Sequence, residues 1–307
     1  MNISVGNQTA TNSSTRLQEI PVFSFVMFFG ITAVALPIGI VGNLLVIVVV
    51  QRKRVLRTNT NFLLANLAGS DLLASVLGYS VAIARTFPLP AVAVGKILCK
   101  VNSYLPSASF CSILTLTVIA LERYNGIVKP LRPGFKFGKR TLRYFCAGIW
   151  FLSFALASPL VYFDDYNSSH RCIRTWSAIG RAYFWTCASV ICIGLPLSII
   201  LYCYVRIIRT LYFGLRIIPM NIPLEIEANE KKKVIKLSVV VTTVFILSFL
   251  PFSVVRGLEI RGTLVPNEVN VFSLIFVLLS SILNPFIYAF QSTNYRRAFR
   301  EAITCRL

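Results

Sequence analysis

Glu122-Arg123-Tyr124 puts an acid, a base and a phenol in a row where the third of seven long apolar runs gives way to a basic loop. At a membrane edge the carboxylate neutralises the guanidinium, while the arginine's rigid fork of donors can be re-aimed at a new partner. One cation with two alternative partners has the chemistry of a switch. A second ionisable group lies deeper. Asp71 is the acidic residue in the middle of a run, where a carboxylate is costly enough to face the bundle interior with polar company. Asn43, Ser112, Ser280, Ser281 and Asn284 stand at matching depth in runs one, three and seven. Carboxylate and hydroxyl oxygens together suit a hard cation, which makes Asp71 a candidate metal ligand for a sodium ion. A protonated, hydrogen-bonded aspartate is the alternative.

These groups need elements to hold them. The chain of 307 residues is 56% hydrophobic and 14% charged, with a mean hydropathy of +0.71, more apolar than a soluble domain. Runs long enough to cross a bilayer core fall at about Val22 to Val50, Phe62 to Ala84, Lys100 to Tyr124, Leu142 to Phe163, Ala182 to Tyr204, Val234 to Val255 and Val269 to Phe290. The expected fold is an all-α membrane protein, a seven-transmembrane helix bundle with a short amphipathic helix after span seven. Residues 1–21 read as a glycosylated extracellular arm, 22–292 as the bundle, and 293–307 as an amphipathic cytoplasmic helix and tail. Prolines interrupt the spans at Pro159, Pro196, Pro251 and Pro285. In Asn284-Pro285-Phe286-Ile287-Tyr288 the lost backbone bond needs polar company such as Asn284.

Most of the 31 Lys and Arg follow spans one, three, five and seven, among them Arg52, Lys53, Arg132, Lys139, Lys232 and Arg297. The positive-inside bias makes those loops cytoplasmic and the N-terminus extracellular. Sequons at Asn2, Asn7, Asn12 and Asn167 all fall on the expected outer side and agree. The net charge of +20 therefore belongs to juxtamembrane loops facing anionic membrane lipids, and nucleic acid is not an expected partner. Cys99 and Cys172 both face an oxidising compartment, which favours a bridge between them. Cys305, after the basic stretch, is a lipidation candidate, with a plain free thiol as the alternative.

Taken together, Gly42-Asn43, Leu67-Ala68-Gly69-Ser70-Asp71, Glu122-Arg123-Tyr124, Trp150, Pro196 with Tyr204, Phe245 with Pro251, and Asn284-Pro285-Phe286-Ile287-Tyr288 give each span its own motif, in order. The set resembles that of the rhodopsin-like (class A) G-protein-coupled receptors. The resemblance implies a plasma-membrane receptor in which an extracellular agonist drives span six outward and opens a cytoplasmic cleft for a heterotrimeric G protein. It implies that Arg123 is the switch, with Tyr204 and Tyr288 as its active-state partners, and that Asp71, Ser112 and Asn284 form a sodium pocket. The chain departs from the pattern in three places. Phe249 stands where the family has a span-six tryptophan, so Phe245, Phe249 and Pro251 would form the toggle. Cys99 lies one residue closer to Arg123 than usual, with Pro106 between them, so the outer half of span three is expected to be irregular. Lys231 occupies the position of the acid that holds the arginine in many relatives, so Glu122 is expected to be its main restraint unless the register slips by one residue and puts Glu230 there.

The ligand is constrained mainly by exclusion. Span seven holds no lysine for a retinal Schiff base, and outer span three shows Leu105 but no aspartate for an amine. Arg256 is placed either to bind a carboxylate or phosphate, or to pair with Glu259 three residues on. Tyr183, Trp185 and Phe252 supply candidate aromatic walls, although a membrane-interface belt explains the first two equally well. Mixed charge around Cys172, with Asp164, Asp165, Arg171 and Arg174, favours a peptide over a small anionic metabolite. A seven-helix transporter or channel is the rival class, but it would need a chain of ionisable groups through the bundle. An enzyme is not expected.

Overall fold

A computed structural model describes residues 22–86, 92–129, 138–166, 172–211 and 222–304. In hydrocarbon every backbone N–H and C=O must be satisfied internally, and long apolar segments therefore become helices. Among the described residues seven helical spans are long and apolar enough to cross a membrane, from Phe29–Arg52 to Glu268–Gln291. They are built from α1 (Val22–Arg52), α2 (Asn59–Thr86), α3 (Val92–Asn102) with α4 (Leu105–Val128), α5 (Lys139–Phe163), α6 (Ala178–Ser189) with α7 (Leu195–Arg209), α8 (Ile222–Ile260) and α9 (Asn267–Gln291). The sequons at Asn2, Asn7, Asn12 and Asn167, Arg171 of the expected lid and the lipidation candidate Cys305 lie outside the described residues.

The central helix is α4, which packs against α2, α5, α7 and α8 and is buried from Ser107 to Ala120 almost without interruption. The peripheral α5 buries one stripe, Leu142, Cys146, Ile149, Ser153, Ala157 and Leu160, spaced at three and four residues, and turns Phe151 and Tyr162 outward. A polar clamp joins three helices. The Trp150 Nε1–H donates to Asn66 Oδ1 at 3.0 Å, and the Asn66 amide donates to Thr115 Oγ1 at 2.8 Å. Between α1 and α9 the approach is close enough that a β-carbon at Gly42 would stand 3.0 Å from the Pro285 ring, so the kink of span seven seats directly on this glycine.

Span three is not one continuous helix. Ser103 and Tyr104 form a turn between α3 and α4, with Tyr104 N bonded to Val101 O and Ser107 N to Tyr104 O, each three residues back. Pro106 then sits in the first turn of α4, where its missing N–H costs nothing. The irregularity expected from the short Cys99–Arg123 spacing thus takes the form of a tightened turn. Span five carries its own defect, a π-turn over Val190–Gly194 ahead of Pro196. Past the apolar part of span six, α8 runs on to 39 residues through Glu225–Lys233, a stretch of good helix formers.

Beyond the C-terminus of α5, β1 (Asp164–Tyr166) and β2 (Cys172–Arg174) pair antiparallel and are tied to α3 by the Cys99–Cys172 disulfide, with Cα atoms 5.7 Å apart. Tyr166 lies flat on Gly95, where any side chain would collide with the ring. Lys100 Nζ donates to Val161 O at 2.7 Å and so caps the C-terminus of α5. One charge of the expected lid, Asp164, is turned inward. Asp164 is buried and accepts from Ser103 Oγ at 2.6 Å, and Asp165 accepts from the Tyr166 N–H at 2.8 Å; both carboxylates brace the hairpin.

After α9, Ser292 starts the amphipathic helix α10 (Thr293–Ile303), which buries Tyr295, Ala298 and Phe299 against the bundle. Glu301 joins Lys53, just past α1, at 2.6 Å to Arg297 at 2.8 Å. The hydrogen bond from Lys53, then that from Arg297, holds the Glu301 carboxyl below its usual range. A lowered folded-state value means that the contribution to docking α10 is present above the ordinary carboxylate range and fades as pH falls through it. Protection of the amides over residues 295–303, measured relative to the intrinsic exchange rate at each pH, is expected to fall modestly on acidification or in Glu301→Gln, and less so at high salt.

Candidate functional site

Near the C-terminus of α4, Arg123 is held in a closed triangle. Its Nε and Nη2 both lie 2.5 Å from Glu122 Oε2, and Nη2 also bonds the hydroxyl of Thr60, in the first turn of α2. The Thr60 hydroxyl in turn donates to Glu122 Oε2 at 3.1 Å. Thr60 is 2% exposed, and the two charged side chains are mostly buried, so opening the triangle would leave charges without compensation. Tyr204 and Tyr288 are not brought to Arg123. The Tyr204 phenol lies 3.4 Å from Thr242 Oγ1 on α8, and the buried Tyr288 hydroxyl has no hydrogen-bond partner among the described residues. Tyr124 also stands apart from its two neighbours in sequence, packing its ring 5.8 Å from Tyr202 with Lys129 above it.

Halfway through the bundle, Asp71 is 2% exposed and accepts from Asn284 Nδ2 at 2.6 Å, with the buried Ser281 and Ser112 beside it. Ser112 shares a 2.9 Å bond with Ser70, which becomes part of the cluster. Asn43 does not reach the carboxylate; its amide donates to the carbonyls of Gly39 and Ser281 at 3.0 and 2.9 Å, and its own oxygen is buried without a partner among the described residues. Ser280 is likewise turned aside, donating to Val277 O at 2.7 Å.

Above this cluster opens a cavity. Leu105, Trp185, Phe252 and Arg256 line it, with Phe245 and Phe249 deeper and Ser112, Ser280 and Ser281 near the Asp71 cluster. Three rings on α8 form one wall: Phe245 stacks on Phe249 at 5.4 Å, and Phe249 meets Phe252 edge-on at 5.5 Å. Pro251, inside α8, adjoins them. Arg256 pairs with Glu259 at 2.7 Å, bonds Asn270 Oδ1 and lies over the Phe252 ring, so the ion pair and the cavity position hold together. Tyr183 is a correction. It is 69% exposed and absent from the cavity wall, because at its place on α6 it faces outward, as an interface aromatic does.

The model of the seven-transmembrane receptors of the rhodopsin family matches residues 42–288. The chain belongs to this family. It is therefore a receptor, not an enzyme, and a multi-pass membrane protein. The receptor is 30% identical to rat somatostatin receptor type 4 over 283 residues, covering 88% of this chain and 70% of that one. It is 31% identical to rat galanin receptor type 1 over 282 residues, 88% of this chain and 80% of the relative. Pig neuropeptide Y receptor type 2 is 30% identical over 312 residues, 95% of this chain and 78% of its own.

Two polar residues that position the receptor's site escaped the sequence reading, Thr60 and Asn66. Asn66 is an amide inside an apolar run, where its cost demands a partner, and that was the available signal; Thr60 offered none.

Proposed function

We propose that this receptor is operated by an extracellular peptide and activates a heterotrimeric G protein on the cytoplasmic side, with its N-terminus outside in the plasma membrane. The observation that carries the reading is the run of rings on α8 from Phe252 to Phe245, placed between the cavity and the half of the helix that reaches the Arg123 end. A ligand that moves Phe252 and Phe249 acts on a helix already weakened at Pro251. Its inner half swings outward, Arg123 leaves Glu122 and Thr60, and Tyr204 and Tyr288 become its partners. The relatives support a peptide agonist, one of them being a neuropeptide receptor by name. Fractionated peptide extracts applied to cells expressing the receptor, read by G-protein dissociation, are expected to contain activity that protease destroys. Protease-resistant activity of low molecular weight would favour the small anionic metabolite.

The Asp71 cluster fits a sodium ion. It combines one carboxylate with the hydroxyls of Ser112, Ser70 and Ser281, and the buried Asn43 oxygen is a spare acceptor in the same layer. The ion would supply the charge balance that a buried carboxylate otherwise lacks, and so favour the inactive packing of α2, α4 and α9. Sodium, unlike potassium, is expected to raise the thermal midpoint of the purified receptor, and Asp71→Asn should abolish the difference. Equal effects of the two ions on the wild type would exclude the site.

A further inference from the structure

Among the described residues lining the cavity, Arg256 alone carries a charge; the remaining lining is apolar apart from scattered serines. A cationic ligand would find no counter-charge there and would meet a guanidinium. An anionic one would find a partner already set in place. Arg256 is braced by Asn270 on α9, by Glu259 one turn on and by the Phe252 ring 5.2 Å beneath it. Ordering this long side chain is therefore paid for before any ligand arrives. Glu259 does not line the cavity, and its side chain is 35% exposed against 20% for Arg256. Ion pairs so open to water are weak, so a carboxylate arriving from the cavity displaces Glu259 at small cost. Fork geometry and the less polar setting inside then favour the newcomer.

We propose that the ligand presents a carboxylate to Arg256 while the apolar side chain next to that carboxylate lies on the wall formed by Phe252 and Phe249, as the last residue of a peptide with a free C-terminus would. The proposal rests on the peptide reading above and adds which end of the peptide enters and with what chemistry. Charge and wall sit at the right separation for a single residue, because the guanidinium lies directly over Phe252 and Phe249 is the next ring inward. A single charged group in an apolar pocket of this kind fixes the orientation of a ligand whose affinity comes from apolar contact.

The test uses N-acetyl-phenylalanine and N-acetyl-leucine, each as the free acid and as the amide of the same shape, titrated into the purified full chain with the thermal midpoint as readout. A dipeptide amide with an acetylated aspartate before phenylalanine, in which only a side-chain carboxylate is offered, distinguishes a terminal from an internal acid. The free acids are expected to raise the midpoint and the amides not. Arg256→Gln should weaken the acids about tenfold or more, Arg256→Lys less, and Glu259→Gln should strengthen them by removing the competitor. Equal shifts from acid and amide, a shift that survives Arg256→Gln, a larger shift from the internal acid, or no shift from any probe would each overturn the proposal. Should Arg256→Gln not fold, the acid-to-amide comparison and Glu259→Gln decide the matter in the wild-type frame. Nucleotide exchange on a G protein, measured on the same preparation, reports the receptor reading separately, so a failure of one is not mistaken for a failure of the other.

Discussion

Glu122→Gln is expected to raise ligand-free guanine-nucleotide exchange by about 5- to 30-fold, the population change that follows from removing one or two kcal/mol of restraint. The carboxylate is the group on which both other members of the triangle converge, since Arg123 and Thr60 both donate to Glu122 Oε2. The neutral amide keeps the shape but loses the charge assistance, which is the larger part of such a bond. The position from which an acid on span six would take over is held by Lys231, which repels Arg123. Thr60→Val tests the same triangle from its third corner, removing the hydroxyl while conserving volume. It is expected to raise exchange by a smaller factor, since the Glu122–Arg123 pair survives at 2.5 Å without it. Surface expression measured beside exchange separates a released switch from an altered amount of protein. Undetectable ligand-free exchange in wild type, Glu122→Gln and Thr60→Val at normal expression would contradict the restraint.

Cys99→Ser is expected to cost the folded receptor about 2–4 kcal/mol, seen as a fall of several degrees in thermal midpoint and loss of the response to ligand at unchanged Arg123 chemistry. The bridge closes a separation of 73 residues and fixes the β-hairpin over α3. It does not act alone, because Tyr166 on Gly95, Lys100 on the end of α5 and Ser103 on Asp164 brace the same corner. Gly95→Val probes that corner without touching a thiol: its side chain would occupy the place of the Tyr166 ring and lift the hairpin. A similar fall in midpoint is expected, and an unchanged midpoint in both variants would show that the hairpin carries no load.

The parts of this architecture that were legible in the sequence are those written in hydropathy and charge. Seven apolar runs specified seven spans because in a bilayer the helix is forced by backbone hydrogen bonding, leaving little for tertiary context to override. Asp71 and Arg123 stood out for the same reason: a charge in such a setting needs a partner, and the structure gives Asp71 the amide of Asn284 and Arg123 the carboxylate of Glu122. What the sequence concealed is direction around a helix and detail along it. Tyr183 and Trp185 are two residues apart and equally aromatic, yet one faces outward and the other into the cavity, a difference set by the rotation of α6 against its neighbours. Asp164 reads as a surface charge until the turn at Ser103 and Tyr104 brings a hydroxyl to it. Thr60 gives no sign by itself, since a threonine is at home in an apolar helix by bonding its own backbone. Only the packing of α2 against α4 shows that its hydroxyl serves Glu122 and Arg123 instead.

Guanine-nucleotide exchange on a heterotrimeric G protein by the full chain in phospholipid nanodiscs, with wild type, Arg123→Ala and Glu122→Gln compared at equal amounts, tests the central claim most directly. The account predicts exchange above the receptor-free baseline in the wild type, a clear increase in Glu122→Gln and a return to baseline in Arg123→Ala. Exchange that is insensitive to Arg123, or baseline exchange in all three forms with the fold intact, would contradict it.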